Sequence, residues 1–135
     1  MRAGTGTIMN SAIRTTAQAL TAAIVLVLTV VSFVSTAQAA DFTVNSTADS
    51  SDPGTLRTAI NDAATSTDAN DRIVFAAGLS GTINLASNLP ALQGPLKIVG
   101  PGSDKLAIDG GDAHSIFVAI DDTSISGLTL SNGSA

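Results

Sequence analysis

Four aspartates in the last third of the chain are the side chains with the clearest chemical potential. All eleven acidic residues are aspartates, and these four lie on predicted turns: Asp109, Asp112, Asp121 and Asp122. Carboxylate oxygens that converge from neighbouring turns bind calcium. Aspartate is equally common in turns that bind nothing, because it shapes and solvates them. No spacing here matches a defined calcium loop, so we expect no cofactor, and calcium at these residues is kept as the alternative.

The only histidine, His114, is the second candidate. It lies in a predicted turn, with Ser115 next to it in the sequence. A catalytic histidine needs a nucleophile within hydrogen-bond reach and an acid that orients its ring. Adjacency in sequence provides neither, so the sequence predicts a surface histidine and no catalytic residue.

The first 39 residues have the pattern of a secretory signal peptide. Arg2 and Arg14 are the only charged residues before Asp41, and an apolar stretch covers residues 17–34. Small residues follow at Ala37 and Ala39. A basic start, an apolar middle and a small-x-small end predict cleavage after Ala39, with Ala40 as the second choice. An uncleaved membrane anchor is the alternative, since the stretch approaches the length of a membrane span.

The composition of residues 40–135 excludes several classes of protein. Four basic and eleven acidic residues give this part a formal charge of −7. Nucleic acid is therefore not an expected partner, and no membrane span is expected after cleavage of the signal peptide. The chain has no cysteine, which rules out disulfides and cysteine-based metal sites.

One amphipathic helix is predicted near the start of the mature chain. Thr55 or Ser51 can cap its N-terminus, and we expect it to end near Ala64. Its apolar stripe consists of Leu56, Ala59, Ile60 and Ala63, which follow helical spacing. Arg57 lies on the same helix, and we expect a structural role in which it binds loop carbonyls or pairs with Asp62 or Asp52.

Short apolar segments separated by Gly, Pro, Asp, Asn and Ser predict β-strands over much of the remaining chain. These segments are residues 42–44, 73–75, 82–85, 96–98, 106–108, 116–118 and 128–130. Leu96, Leu106 and Ile116 recur at intervals of ten residues. The pattern Ile-x-Gly occurs at 98–100, 108–110 and 125–127, and residues 106–111 are echoed 22 residues later. Such repetition predicts a solenoid that stacks aliphatic residues from successive coils into rows. A β-sandwich of hairpins is the alternative.

The segment 54–60, Gly-Thr-Leu-Arg-Thr-Ala-Ile, resembles the N-terminal motif of secreted right-handed parallel β-helix proteins. Residues 73–75, 79–83, 98–102 and 125–133 are similar to that family in the same order. The resemblance covers nearly all of residues 41–135 and implies a pectin-lyase-like fold whose short helix caps the first coil. Polymorphic outer-membrane autotransporters are a more distant resemblance, since residues 42–45 match their Phe-x-x-Asn repeat once, whereas their Gly-Gly-Ala repeat is absent.

The resemblance implies a mostly β protein made of a signal peptide (1–39) and the N-terminal cap and first coils of a right-handed parallel β-helix (40–135), truncated at its C-terminus. Further coils of a longer chain are then the expected partner. We expect an exported, non-catalytic scaffold, adhesin or passenger segment, extracellular or on the bacterial outer membrane, which binds a surface polysaccharide or host ligand. The alternative is the start of a polysaccharide lyase or glycoside hydrolase, whose aspartates would act with Lys97 or Lys105.

Overall fold

The computed structural model describes residues 38–135, so the predicted signal peptide, including Ala37, lies outside the described residues except for its last two positions. The described chain consists of short strands and one helix. In chain order they are β1 (Asp41–Val44), α1 (Leu56–Thr65), β2 (Asp71–Phe75), β3 (Gly81–Asn84), β4 (Leu96–Val99), β5 (Leu106–Asp109), β6 (Thr123–Ser126) and β7 (Thr129–Ser131).

The strands form two sheets in which every pair is parallel. The first sheet has the order β1-β2-β4-β6 and the second has the order β3-β5-β7. From β2 onward, successive strands therefore alternate between the two sheets. Hairpins join antiparallel neighbours, whereas parallel neighbours need a longer connection. The fold is thus mostly parallel β-sheet with one short helix, and a sandwich of hairpins is not its arrangement.

The pairing of the strands accounts for the 22-residue repeat but not for the ten-residue interval. In the first sheet Ile73 pairs with Ile98, and Ile98 pairs with Ile125, which are steps of 25 and 27 residues. In the second sheet Ile108 pairs with Leu130, which is the predicted step of 22. The interval of ten has no such meaning, because Leu96 and Leu106 belong to different sheets. Ten residues is the length of chain between the start of β4 in one sheet and the start of β5 in the other.

One strand predicted from the sequence is absent, and one strand of the structure was not predicted. Residues 116–118 form no strand, although they are apolar; the only pairing nearby is a single parallel bridge between Ala119 and Leu92. The more polar segment Thr123–Ser126 is a strand instead. Strand propensity depends on the neighbours that a segment meets. Thr123–Ser126 is the segment that lies beside β4, since Ile125 pairs with Ile98.

The recurring Ile-x-Gly pattern in the first sheet has a steric cause. Gly100 and Gly127 follow the paired residues Ile98 and Ile125, and the Gly100 N–H donates to the Ser126 carbonyl at 2.8 Å. A β-carbon built on Gly100 would lie 2.1 Å from the Gly127 carbonyl oxygen. Only glycine at this position allows the two backbone segments to approach so closely.

Aliphatic rows and the stripe of the helix make one hydrophobic core. Ile73, Ile98, Ile83 and Ile108 are completely buried, and they pack in one cluster with the buried face of α1. That face consists of Leu56, Ala59, Ile60 and Ala63. The described residues lie in one compact unit, and the buried aliphatic residues of that unit form a single cluster.

The helix begins as its sequence predicts. The Thr55 hydroxyl oxygen accepts a hydrogen bond from the Thr58 N–H, which makes Thr55 the N-cap. The helix ends at Thr65, one residue beyond the predicted Ala64. Within residues 38–135, no helix is long and apolar enough to cross a membrane.

Candidate functional site

The last strand of each sheet presents aliphatic side chains that continue the buried rows into solvent. Ile125 on β6 follows Ile98, and its exposed fraction is 38% where that of Ile98 is 0%. Leu130 on β7 follows Ile108, with 47% exposed against 0%. Among residues 38–135, no further layer covers this end of the rows. We call this surface, formed by β6, β7 and residues 118–120, the open edge.

The segment between the two sheets adds to the open edge. Leu92 is completely buried, its N–H donates to the Val118 carbonyl at 2.8 Å, and its carbonyl accepts from the Ile120 N–H at 3.1 Å. Val118 is 50% exposed and Ile120 is 65% exposed. Exposed aliphatic residues that are grouped on one surface indicate an interaction site more strongly than scattered ones do.

At the opposite end of the first sheet, α1 contacts β1 and β2 and buries its apolar face in the core. Arg57 fixes this helix to two loops. Its Nε and Nη2 donate to the two carboxylate oxygens of Asp49, both at 2.8 Å. Nη1 donates to the Asn88 carbonyl at 2.8 Å, and Nη2 also donates to the Ser87 carbonyl at 3.0 Å. The expected binding to loop carbonyls is therefore correct, but the expected partners Asp62 and Asp52 are wrong.

Burial and charge have opposite effects on the pKa of Asp49, whose side chain is only 3% exposed. Burial raises the pKa of its carboxyl group. Hydrogen bonds from Arg57 and from backbone amides, together with the positive charge of Arg57, outweigh that effect and leave the pKa below its ordinary value. One of these amides is the Ala86 N–H, which donates at 2.8 Å. Asp49 is therefore ionised at neutral pH and joins its loop to α1 and to residues 86–88.

An open groove lies on the first sheet, with a volume of about 630 Å³. Arg72 and Lys97 both line it and pair with each other on adjacent strands, and strands in a sheet are about 4.8 Å apart. Asp122 lies on the same groove. Of the predicted candidates, the structure thus brings Lys97 and Asp122 to one surface, whereas Lys105 precedes β5 of the other sheet.

The candidate calcium aspartates have different hydrogen-bond partners. Asp109 ends β5, where its carboxylate accepts from the Gly111 N–H at 2.8 Å and from the Asn132 amide at 3.0 and 3.1 Å. Asp121 accepts from the Gly94 N–H at 2.9 Å, and Asp112 is an exposed turn residue with φ of 58°. Within the described chain, no three acidic or histidine side chains form a group that could hold a metal. Calcium at these residues stays a prediction.

His114 and Ser115 do not form a catalytic pair. The Ser115 hydroxyl donates to the Ser134 carbonyl at 2.9 Å instead of to the imidazole. The backbone of His114 completes a turn, since its N–H donates to the Gly110 carbonyl at 2.9 Å. Both residues therefore contribute hydrogen bonds to backbone carbonyls in the loops after β5 and β7.

Two buried aspartates, Asp49 and Asp71, were missed by the reading of the sequence. The pattern of β2 contains a signal for Asp71, because alternation places it on the same face as Ile73, and it is only 6% exposed. Asp49 has no such signal, because its partners lie eight or more residues away on other elements.

Comparison of the chain with protein-family models, with curated proteins and with solved structures gives no match.

Proposed function

We propose that residues 40–135 are the capped first coils of an exported, non-catalytic right-handed parallel β-helix. The protein acts as a scaffold, adhesin or passenger segment outside the cell or on a bacterial outer membrane. Its ligand is a surface polysaccharide or a host molecule, and its open edge binds the next coil of a β-helix. A coil in this sense is one passage of the chain through both sheets.

The observation that carries the proposal is the change of exposure along the rows. Ile98 and Ile108 are buried under the following strand, whereas Ile125 and Leu130 occupy the next positions and stay exposed. A coil added at this edge would bury both side chains and would pair with the outer edges of β6 and β7. Solenoids obtain their stability from such contacts between neighbouring repeats.

The chemistry of the edge favours another coil over an unrelated partner. Only a chain with two strands, one beside β6 and one beside β7, can use the hydrogen-bonding edges of both sheets at once. Its aliphatic side chains would have to stand at the register positions of Ile125 and Leu130. Those requirements describe the coils that already precede the edge, in which Ile98 and Ile108 hold these positions.

Self-association of residues 40–135 tests this proposal. An uncovered strand edge with aliphatic residues promotes association between copies, so sedimentation velocity should detect oligomers whose fraction rises with concentration. The double variant Ile125→Lys, Leu130→Lys should be monomeric, because charges would then lie on the surface that associates.

The control is Val74→Lys, which places one lysine on a partly buried valine of β2, away from the open edge. This variant should associate like the unchanged protein, and circular dichroism should show that all three proteins are folded. If the unchanged protein is monomeric at every concentration, or if the double variant associates equally, the open edge does not bind a further coil.

The enzyme alternative depends on one different observation, the presence of Lys97 and Asp122 on the same groove. A polysaccharide lyase needs a base close to the sugar carbon from which it removes a proton. The assay is cleavage of acidic polysaccharides by residues 40–135, with and without added calcium. Turnover that is lost in Lys97→Met and retained in Lys105→Met would establish the enzyme and reject the scaffold.

A further inference from the structure

Asp71 is a buried carboxylate at the beginning of β2. It pairs in register with Leu96, lies on the same face of its strand as Ile73, and is only 6% exposed. Aspartate is rarely buried without a partner, because removing its charge from water costs free energy that a nearby cation must offset. Asp71 also lines the groove on the first sheet, and a positive group close to its carboxylate would offset the remaining cost of burial.

The basic side chains of the described chain do not supply that group. The two ion pairs among residues 38–135 join Arg57 to Asp49 and Arg72 to Asp41. Within residues 38–135, the Asp71 carboxylate accepts a hydrogen bond from the backbone N–H of Ala40 at 3.3 Å. A single neutral amide at that distance is a weak partner for a buried charge.

Ala40 is the residue at which the chain enters the sheet. Its carbonyl accepts a hydrogen bond from the Arg72 N–H at 2.8 Å, so both backbone groups of Ala40 are held by the start of β2. Gln38 and Ala39 are exposed. The peptide bond between Ala39 and Ala40 therefore joins an accessible segment to an anchored residue.

Cleavage of this bond changes the charge beside Asp71. Water adds its oxygen to the Ala39 carbonyl carbon, the C–N bond breaks, and the nitrogen of Ala40 takes up protons. A free α-amino group has an ordinary pKa of about 7.7–8.0, so the product is mainly an ammonium group at neutral pH. The atom that donated as a neutral amide thus becomes a cation with three N–H donors.

We propose that signal-peptide cleavage after Ala39 creates an ion pair between the α-ammonium group of Ala40 and the Asp71 carboxylate. This pair fastens β1 to β2 in the mature protein. The inference rests on the export that the proposed function includes, and it adds a structural role for the new N-terminus. Cleavage after Ala40 would instead remove the residue that reaches Asp71.

Two polypeptides that differ only by Gln38 and Ala39 test the ion pair. One begins at Ala40 and the other at Gln38, so that the nitrogen of Ala40 is an ammonium group in the first and an amide in the second. Both contain every buried residue of the hydrophobic cluster and are released from a fusion by a protease that leaves no extra residue. The melting temperature at pH 7 should be higher for the Ala40 form by about 4–8 °C.

The same comparison in Asp71→Asn separates an ion pair from a simple effect of chain length. The difference between the two forms should disappear in this variant, because asparagine has no charge. It should persist in Asp62→Asn, which removes the charge of an exposed aspartate on α1. Equal melting temperatures in the unchanged protein, or an equal difference in Asp71→Asn, would overturn the ion pair.

Mass spectrometry of the protein exported from the full precursor tests processing separately. A mature N-terminus at Ala40 is expected. If the N-terminus is Ala40 but the difference in melting temperature is absent, the ion pair is wrong and export stands. An uncleaved precursor in membranes, or a mature protein that begins at Asp41, would overturn the assigned role of cleavage, whatever the two polypeptides show.

Discussion

The two ends of the aliphatic rows differ in exposure, because α1 packs on one end and the other end faces solvent. At the end next to β1 and β2, α1 buries Leu56 and Ile60 against the core, and Arg57 binds Asp49 and two loop carbonyls. At the end formed by β6 and β7, Ile125 and Leu130 occupy the same kind of row and remain exposed. Similar side chains therefore have different environments, according to what lies beyond them.

This difference shows that closing a parallel sheet stack takes more than apolar residues. The end of a row needs a cover that buries the last side chains, and the cover needs polar anchors that satisfy the loops around it. Here the helix provides the first and the Arg57–Asp49 pair provides the second. Among residues 38–135 the open edge has neither, and the proposed function assigns the next coil to it.

The largest effect should come from removing the anchor of the covered end. Asp49→Ala leaves the largely buried guanidinium of Arg57 without its carboxylate and the Ala86 N–H without its acceptor. Loss of one partner of a buried ion pair lowers the free energy of unfolding by about 3–5 kcal/mol. Urea unfolding followed by circular dichroism measures this change.

Asp62→Ala is the matched control for the anchor. Asp62 is an exposed aspartate on the same helix, and substitutions of that kind change stability by less than about 0.5 kcal/mol. A similar loss of stability in both variants would mean that the Arg57–Asp49 pair does not anchor the cover.

One row compares the two ends most directly. Ile98→Ala removes a completely buried side chain and should lower the free energy of unfolding by about 2–5 kcal/mol. Ile125→Ala makes the same change one strand further along, where 38% of the side chain is exposed, and should cost about 1 kcal/mol. Equal losses at the two positions would show that the open edge is covered in solution.

Acid should weaken the covered end specifically. The pKa of Asp49 in the folded protein is below its ordinary value, so this carboxylate stabilises the fold at neutral pH, and the contribution disappears as the pH falls below about 4. Asp49→Asn, which carries no charge at any pH, should lose less stability between pH 6 and pH 3 than the unchanged protein. Denaturant titrations over that range give the two slopes, and identical slopes would contradict the assignment.

The smallest effect is expected for the exposed ion pair of the first sheet. Arg72 and Asp41 approach to 3.6 Å with about half of each side chain exposed, 44% and 52%. Such pairs contribute about 0–1 kcal/mol, so Arg72→Ala should leave the urea midpoint almost unchanged. A loss as large as that of Asp49→Ala would mean that Arg72 has a further partner in the folded protein.

Local pattern was sufficient for the helix and for most strands. The spacing of Leu56, Ala59, Ile60 and Ala63 predicted a buried face that the structure contains, because helix geometry alone decides which residues share a side. The step of 22 residues between Ile108 and Leu130 was also visible in the sequence. By contrast, residues 116–118 were apolar enough to predict a strand and formed none.

The amino-acid sequence by itself determined the parts of this protein that depend on neighbours along the chain: the periodicity of α1, its Thr55 cap and the alternation of most strands. Only the tertiary structure decided which segments became partners. It placed Asp49 on Arg57, Asp71 next to Ala40, and Thr123–Ser126 beside β4. Pairing between distant segments depends on what each one meets after the chain has folded, so that no short stretch of sequence contains it.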